Sequence, residues 1–124
     1  GETIVEPVEQ GTNLAAVNSK YVDILAHPGL VTAEVASVAA NNGVFLEVSG
    51  RKGHAYANGH VIKKARESGA RLLLDSDAHE PEDLLTPEFS QKVAKGAGLS
   101  DPEIQALVET NPRRLLAKLG YPAV

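Results

Sequence analysis

The chain has 124 residues, of which 43% are apolar, and a net charge of −4 from 16 acidic and 12 basic side chains. That composition suffices for one modest hydrophobic core and is too small for two domains. The mild negative charge disfavours nucleic acid and anionic membranes as partners. No apolar stretch approaches the roughly 20 residues that span a bilayer.

Two residue types are absent. Without cysteine, disulfides, zinc–thiolate sites and a cysteine nucleophile are excluded, which fits a cytoplasmic protein. Without methionine, the chain is interpreted as a processed product or as part of a longer protein.

Short apolar runs alternate with helical patterns along the chain. The runs predict strands near 3–6, 22–26, 44–48 and 71–75, because near-continuous apolar segments are typical of parallel strands buried on both faces. Helices are predicted at about 12–19, 32–40, 59–68, 83–96 and 101–110, and a last helix is predicted to restart at Arg113 with Leu115, Leu116 and Leu119 turned inward.

This alternation predicts right-handed crossovers and an α/β fold. Four strands do not close a barrel, since a complete (β/α)8 barrel needs about 250 residues. The chain could therefore form either a small open sheet or about half of a barrel, and the missing methionine favours the half-barrel.

Residues with catalytic chemistry follow the ends of three predicted strands. His27 follows the second run, Glu47 and Arg51 end or follow the third, and Asp77 and His79 follow the fourth. Parallel sheets and barrels place their sites at the carboxyl ends of strands. We therefore expect His27, Asp77 and His79 to converge on one side of the sheet.

The Asp77-Ala78-His79 pattern suits a metal ion. Alternating residues of an extended segment point the same way, and a carboxylate with an imidazole suits zinc, manganese or iron(II). The alternative is an Asp that caps the next helix beside a solvated His. His27, in His27-Pro28-Gly29, is either a further ligand or a turn residue bonded to the backbone.

The segment Arg51-Lys52-Gly53-His54 predicts a phosphate contact. Arginine offers a two-pronged donor and glycine lets backbone amides approach, so Arg51 and His54 are candidates for substrate binding; a solvated polar loop is the alternative. Glu47, inside a buried strand, needs a partner, either Arg51 or a metal-bound water. It is the candidate catalytic carboxylate.

Taken together, three segments resemble the later motifs of the PHP (polymerase and histidinol phosphatase) superfamily. They are Val22-Asp23-Ile24-Leu25-Ala26-His27-Pro28-Gly29, Leu46-Glu47-Val48-Ser49-Gly50-Arg51 and Asp75-Ser76-Asp77-Ala78-His79. The opening residues 1–8 and the segment 51–54 resemble its histidinol-phosphatase-like branch. The resemblance covers essentially the whole chain, in order.

The resemblance implies a distorted (β/α)7 barrel that holds two or three divalent metal ions (zinc, manganese or iron) and hydrolyses a phosphomonoester through a metal-activated hydroxide. His27 matches the family's His-Pro ligand, Asp77 and His79 match its final Asp-x-His ligands, and Arg51 lies where a substrate phosphate is contacted. The family's first H-x-H motif is absent. Residues 1–124 therefore resemble the C-terminal part of a single PHP domain.

Two other functions remain open at this point. One is a non-catalytic PHP-like scaffold that binds RNA or a protein partner, and the other is an amidohydrolase-type metal hydrolase. Half a barrel leaves strand edges and an apolar face uncovered. We therefore expect the open side to pair with the missing N-terminal half or with a second copy of the chain.

Overall fold

The protein is built on a three-stranded parallel sheet. The structure, a computed structural model, describes residues 1–122. Strands β1 (Ile24–Leu25), β2 (Phe45–Ser49) and β3 (Leu72–Asp75) lie side by side in that order. The predicted parallel pairing of these three strands is confirmed. The sheet described for residues 1–122 is open, with β1 and β3 at its edges and no barrel closure.

The described residues form six α-helices around the sheet: α1 (Thr12–Asn18), α2 (Ala33–Asn42), α3 (Asn58–Ser68), α4 (Pro87–Gly96), α5 (Asp101–Gln105) and α6 (Asn111–Lys118). Short 3-10 turns at His54–Ala57 and Pro81–Asp83 follow β2 and β3, and a π-helical turn at Ala106–Thr110 joins α5 to α6. Over residues 1–122, no helix is both long and apolar enough to cross a membrane.

Side-chain caps determine where several helices begin. The hydroxyl of Thr32 accepts a hydrogen bond from the Val35 amide at the start of α2, and Thr86 caps α4 in the same way. Ser100 and Glu103 form the predicted capping box of α5. The predicted helix at 83–96 therefore begins later, at Pro87, because the Thr86 cap and a proline at the first position favour a start there.

The strand predicted at 3–6 is wrong. The segment is irregular, and Ile4 and Val5 are 47% and 45% exposed. It is held by side-chain hydrogen bonds rather than by strand pairing. The Asn13 Oδ1 atom accepts from the Glu2 amide at 2.8 Å, and its Nδ2 donates to the Pro28 carbonyl at 2.8 Å.

The inward orientation predicted for the last helix is also wrong in part. Leu115 is half-buried, but Leu116 and Leu119 are 39% and 48% exposed. Instead, the buried Asn111 donates from Nδ2 to the Leu72 carbonyl at 2.8 Å. The π turn directly before α6 shifts the helical phase, which turns Asn111 toward the sheet and the two leucines outward.

Two apolar clusters form the core. The larger cluster joins β1 and β2 to α1, α2 and α3 through residues such as Val17, Ala36, Leu46 and Val61. The smaller cluster packs Val48 and the C-terminal helices against α3: Val48, Ile62, Ala94, Leu99, Ile104 and Leu107. Both clusters fix the positions of the strand ends, where the candidate site lies.

Candidate metal centre

Three side chains meet at the carboxyl end of the sheet. His27 lies two residues after β1, Asp77 lies two residues after β3, and His54 begins the 3-10 turn that follows β2. One ligand atom from each of the three lies within 4.8 Å of the others. Two imidazole nitrogens and a carboxylate oxygen form a donor set that suits zinc, manganese or iron.

The backbone is strained at two of these three residues. His27 has φ = 29° and Asp77 has φ = 48°, and they are the two non-glycine residues with positive φ in the described part of the chain. Such conformations cost on the order of 1–3 kcal/mol each and cluster at functional sites. The fold therefore retains strain after β1 and β3, two of the three strands that are followed by a candidate ligand.

The His27 imidazole is held by packing. Its ring stacks on that of His54, with centroids 4.3 Å apart and planes inclined by 17°. Its Nδ1 atom is buried without a hydrogen-bond partner among the described residues. A buried polar atom left unpaired costs about 1–3 kcal/mol, and a cation is a natural partner for an imidazole nitrogen. The residues present therefore fit a bound divalent metal.

His54 is oriented by a residue far away in the sequence. Its Nδ1 lies 2.7 Å from the hydroxyl Oγ1 of Thr3, and its Nε2 lies 3.3 Å from Oδ2 of Asp77. Burial, followed by the proximity of His27, lowers the pKa of His54 below its ordinary value. The neutral imidazole that results is the form that binds metals, and a bond at the other ring nitrogen is the usual way to orient it.

Glu47 lies beneath this cluster as a buried carboxyl group. It is 5% exposed, and its Oε1 accepts a hydrogen bond from the His27 amide at 2.9 Å. Burial raises the pKa of Glu47 to about 8; Asp75 and Asp77 add to this rise, whereas the bond from His27 opposes it. In the metal-free protein the carboxyl group is therefore protonated at neutral pH.

Arg51 is not the partner of Glu47, contrary to one of the two alternatives. Its Nη1 donates to the Asp77 carbonyl at 3.1 Å and to Oδ2 of Asp83 at 3.4 Å, and its Nε lies 3.7 Å from Oδ2 of Asp77. Asp83 Oδ2 also accepts from the His79 amide at 2.9 Å, and such backbone hydrogen bonds are the main reason why the pKa of Asp83 is lowered. Arg51 thus lies beside the metal-ligand group.

His79 is outside the group of three. It is exposed, and its Nδ1 lies 2.8 Å from the Asp77 carbonyl. It lines a polar cleft of about 440 Å³ together with Arg51 and Asp83. The structure therefore brings His27 and Asp77 together, leaves His79 outside the group and adds His54, which was predicted as a substrate contact.

Several contacts of the site have no signal in the sequence. Thr3 lies in a segment predicted as a strand, and Asp83 lies in a segment predicted as a helix. Nothing in their spacing connects them to His54 or Arg51. Glu47 is different, because it is a charged residue inside an apolar run. That local pattern indicated a buried carboxyl group, whose pKa is raised in the structure.

Comparison with known proteins gives three informative relatives. An uncharacterized protein of Methanocaldococcus jannaschii is 45% identical over 96% of this chain and 55% of its own length. A probable phosphatase of Thermoanaerobacter sp. (strain X514) is 33% identical over 77% of this chain and 44% of its own length. A probable phosphatase of Shewanella halifaxensis is 31% identical over 96% of this chain and 53% of its own length.

No family model matches the chain, and no solved structure matches it significantly. The chain spans about half the length of the curated relatives that it matches. Over that half, it is homologous to bacterial proteins named probable phosphatases, and it carries a His27–His54–Asp77 group that can hold a metal ion.

Proposed function

We propose that residues 1–124 are the C-terminal part of a PHP-type, metal-dependent phosphoesterase that hydrolyses a phosphomonoester. The observation that carries the proposal is the group of His27, His54 and Asp77, whose ligand atoms lie within 4.8 Å of one another at the carboxyl ends of parallel strands. The homology to probable phosphatases supports the same reaction class. The complete centre holds two or three divalent ions, and His79 is a further ligand candidate.

The three residues bind the cation and fix its position. When bound, a divalent cation supplies positive charge for the phosphoryl oxygens and makes a water molecule nucleophilic near neutral pH. Thr3 orients His54, because its hydroxyl contacts the ring nitrogen that faces away from Asp77. The backbone strain at His27 and Asp77 sets the directions of the other two side chains.

Arg51 is the candidate for the substrate phosphate. Among residues 1–122, its Nη2 atom makes no hydrogen bond, whereas Nη1 is held by Asp77 and Asp83. An arginine that is fixed at one end can offer its remaining donors to a phosphoryl oxygen without first losing conformational freedom. Asp83 therefore acts as a positioning residue for Arg51.

Glu47 is the candidate proton-transfer group of the site. A carboxyl group that stays protonated at neutral pH both accepts the His27 amide and can donate a proton. Binding of a cation nearby lowers the pKa of such a group, so we propose that Glu47 releases its proton to the solvent when a cation binds. It then acts as a carboxylate that orients or deprotonates a water.

The whole domain needs a partner for the open sheet. Strands β1 and β3 have unpaired edges in the described structure, and Ile4 and Val5 expose apolar surface near the site. We propose that a preceding half of the same domain, or else a second copy of the chain, covers this side and supplies the remaining ligands. Such a centre is incomplete without that partner, so the chain alone should be nearly inactive.

The test compares the chain with the full-length gene product, each stripped of metal and then supplied with Mn²⁺ or Zn²⁺. Hydrolysis of glycerol 2-phosphate should depend on added metal and should be far faster for the full-length protein. An amide and a lactone serve as alternative substrates, and preferential turnover of either would indicate an amidohydrolase. RNA binding without hydrolysis would indicate a scaffold.

Variants connect the activity to the site. Asp77→Asn and His54→Gln should each lower turnover by more than about 100-fold, since loss of a residue that merely orients a metal ligand already costs 10- to 100-fold. Asp101→Asn is the matched control, because Asp101 is exposed at the start of α5. Equal activity of Asp77→Asn and the control would refute the metal-site assignment.

A further inference from the structure

A second cavity lies next to the candidate metal centre. It has a volume of about 530 Å³ and lies between the segment 50–59 and one face of α4. Its wall shares Gly50, Lys52 and Phe89 with the polar cleft that contains Arg51 and His79. A molecule whose phosphate contacts Arg51 could therefore place the rest of its structure in this adjoining cavity.

The walls of the cavity are apolar and aromatic. Tyr56 is 78% exposed and Phe89 is 49% exposed, and Val93 and Ala97 line the same space. Exposed rings beside a cavity offer stacking surfaces for a flat group. The volume falls within the range of about 300–1,000 Å³ that is typical of small-molecule sites.

The charge of the cavity distinguishes it from the rest of the protein. Its charged lining residues are Lys52 and Lys92, and no acidic residue is among the described residues that line it. The neighbouring cleft, in contrast, contains Glu80, Glu82 and Asp83. In a chain with a net charge of −4, a cavity with two lysines and no carboxylate attracts anions and repels amines.

We propose that this cavity binds the organic part of the phosphorylated substrate and selects a flat, apolar group that carries an additional negative charge. The inference rests on the proposed phosphoesterase function and deepens it by naming the class of alcohol. Lys52 lines both cavities and Lys92 lines only the cavity beside α4, so Lys92 is the residue assigned to the second anionic group.

The experiment uses the full-length protein and three esters that differ in charge at the far end: 4-carboxybenzyl phosphate, benzyl phosphate and 4-(aminomethyl)benzyl phosphate. Their reacting ends are nearly identical, so differences in kcat/KM report on the cavity. We expect the carboxylate ester to be preferred over benzyl phosphate and the amine ester to be the poorest substrate.

Two variants on the same helix locate the preference. Lys92→Ala should reduce the ratio of kcat/KM for the carboxylate ester over benzyl phosphate by about 1.4- to fivefold, the range expected for one exposed ion pair. Lys95→Ala is the matched control, because Lys95 is an exposed lysine of α4 that does not line the cavity. A ratio that is equal in both variants would overturn the proposal.

A steric variant tests the position independently of charge. A Cβ atom built at Gly96 meets no atom within 4 Å, and Gly96 lines the cavity near the end of α4. Gly96→Leu should therefore fold normally, because leucine is a better helix former than glycine. It should lower kcat/KM for the benzyl esters about tenfold more than for glycerol 2-phosphate; an equal effect on both would overturn the proposal.

A binding measurement separates this inference from the proposed function. 4-Carboxybenzylphosphonate is titrated into the protein by calorimetry, with and without Lys92→Ala. If none of the three esters is hydrolysed, the phosphoesterase function fails. Binding that is weakened by Lys92→Ala would still support the cavity as an anion-selective site, whereas binding that is unaffected by the variant would overturn it.

Discussion

The hydrogen bond between Thr3 and His54 offers a direct test of how His54 is oriented in the candidate metal centre. The Oγ1 and Nδ1 atoms are 2.7 Å apart, and the two residues are 7% and 8% exposed. Thr3→Val removes the hydroxyl and keeps the shape, which leaves a buried imidazole nitrogen unpaired. The loss should cost about 1–3 kcal/mol of stability in the metal-free protein.

The effect on metal binding should be separable from the effect on stability. Without Thr3, the imidazole is free to place its proton on Nε2, the atom that faces Asp77. Residues that orient a ligating histidine typically contribute 10- to 100-fold to affinity, or about 1.4–2.7 kcal/mol. Thr3→Ser, which retains the hydroxyl, should restore most of this affinity.

The assay is a competitive titration of Zn²⁺ against a chromophoric chelator, combined with urea unfolding of each variant. Thr86→Val is the control, since it removes the cap of α4, a helix that carries none of the three candidate ligands, and should cost about 1 kcal/mol of stability with no change in affinity. Wild-type zinc affinity in Thr3→Val would refute the positioning role of Thr3 and weaken the case for His54 as a ligand.

Three further predictions concern single side chains. The folded-state pKa of Glu47 is raised to about 8 from 4.5, so the contribution of Glu47 to stability is present below about pH 4.5 and is lost as the pH rises to 8. Glu47→Gln should therefore flatten the pH dependence of Tm between pH 5 and 9, measured in the presence of a metal chelator. An unchanged slope would contradict the raised pKa. Asn58→Ala should destabilise the protein by about 2–4 kcal/mol in urea unfolding. The reason is that the buried side-chain amide of Asn58 forms hydrogen bonds with both the N–H and the C=O of Ser49, each at 2.9 Å. A loss below 1 kcal/mol would show that water replaces both hydrogen bonds. Arg66→Ala should raise the pKa of Glu103 from about 2 toward its ordinary value, because the two exposed side chains are hydrogen-bonded at 2.7 and 2.8 Å. Carboxyl chemical shifts in an NMR titration measure this pKa. A pKa that stays near 2 would attribute the lowering to the hydrogen bonds with Ser100 at the start of α5.

The sheet could be predicted because its signal is local. The runs containing Ile24–Leu25, Phe45–Ser49 and Leu72–Asp75 are nearly all apolar, and the helices between them require parallel crossovers. Parallel pairing then places residues just past the strand ends on one edge, which explains why the side chains of His27 and Asp77 lie close together. The segment 3–6 has a similar composition but lacks a neighbouring strand within the described chain, so composition alone misled.

The rest of the site depends on contacts that local patterns do not encode. His54 and Thr3 are 51 positions apart, and their approach follows from the way Asn13 ties the first residues to Pro28. The sequence also did not predict the positive φ angles of His27 and Asp77, since neither residue is a glycine. His79 lies outside the ligand group and instead contacts the Asp77 carbonyl through Nδ1, a contact that the Asp-x-His spacing does not predict.

Unfavourable features are concentrated at the carboxyl ends of the strands. Two strained residues, a buried carboxyl group close to two aspartates and a buried imidazole nitrogen without a partner all occur there. Elsewhere, α2, α4 and α5 begin with side-chain caps, and the buried amides of Asn58 and Asn111 are hydrogen-bonded. Natural sequences keep such local conflicts mainly where function requires them. A divalent cation would engage the imidazole and offset the negative charge at once, so binding energy and folding energy should be linked at this centre.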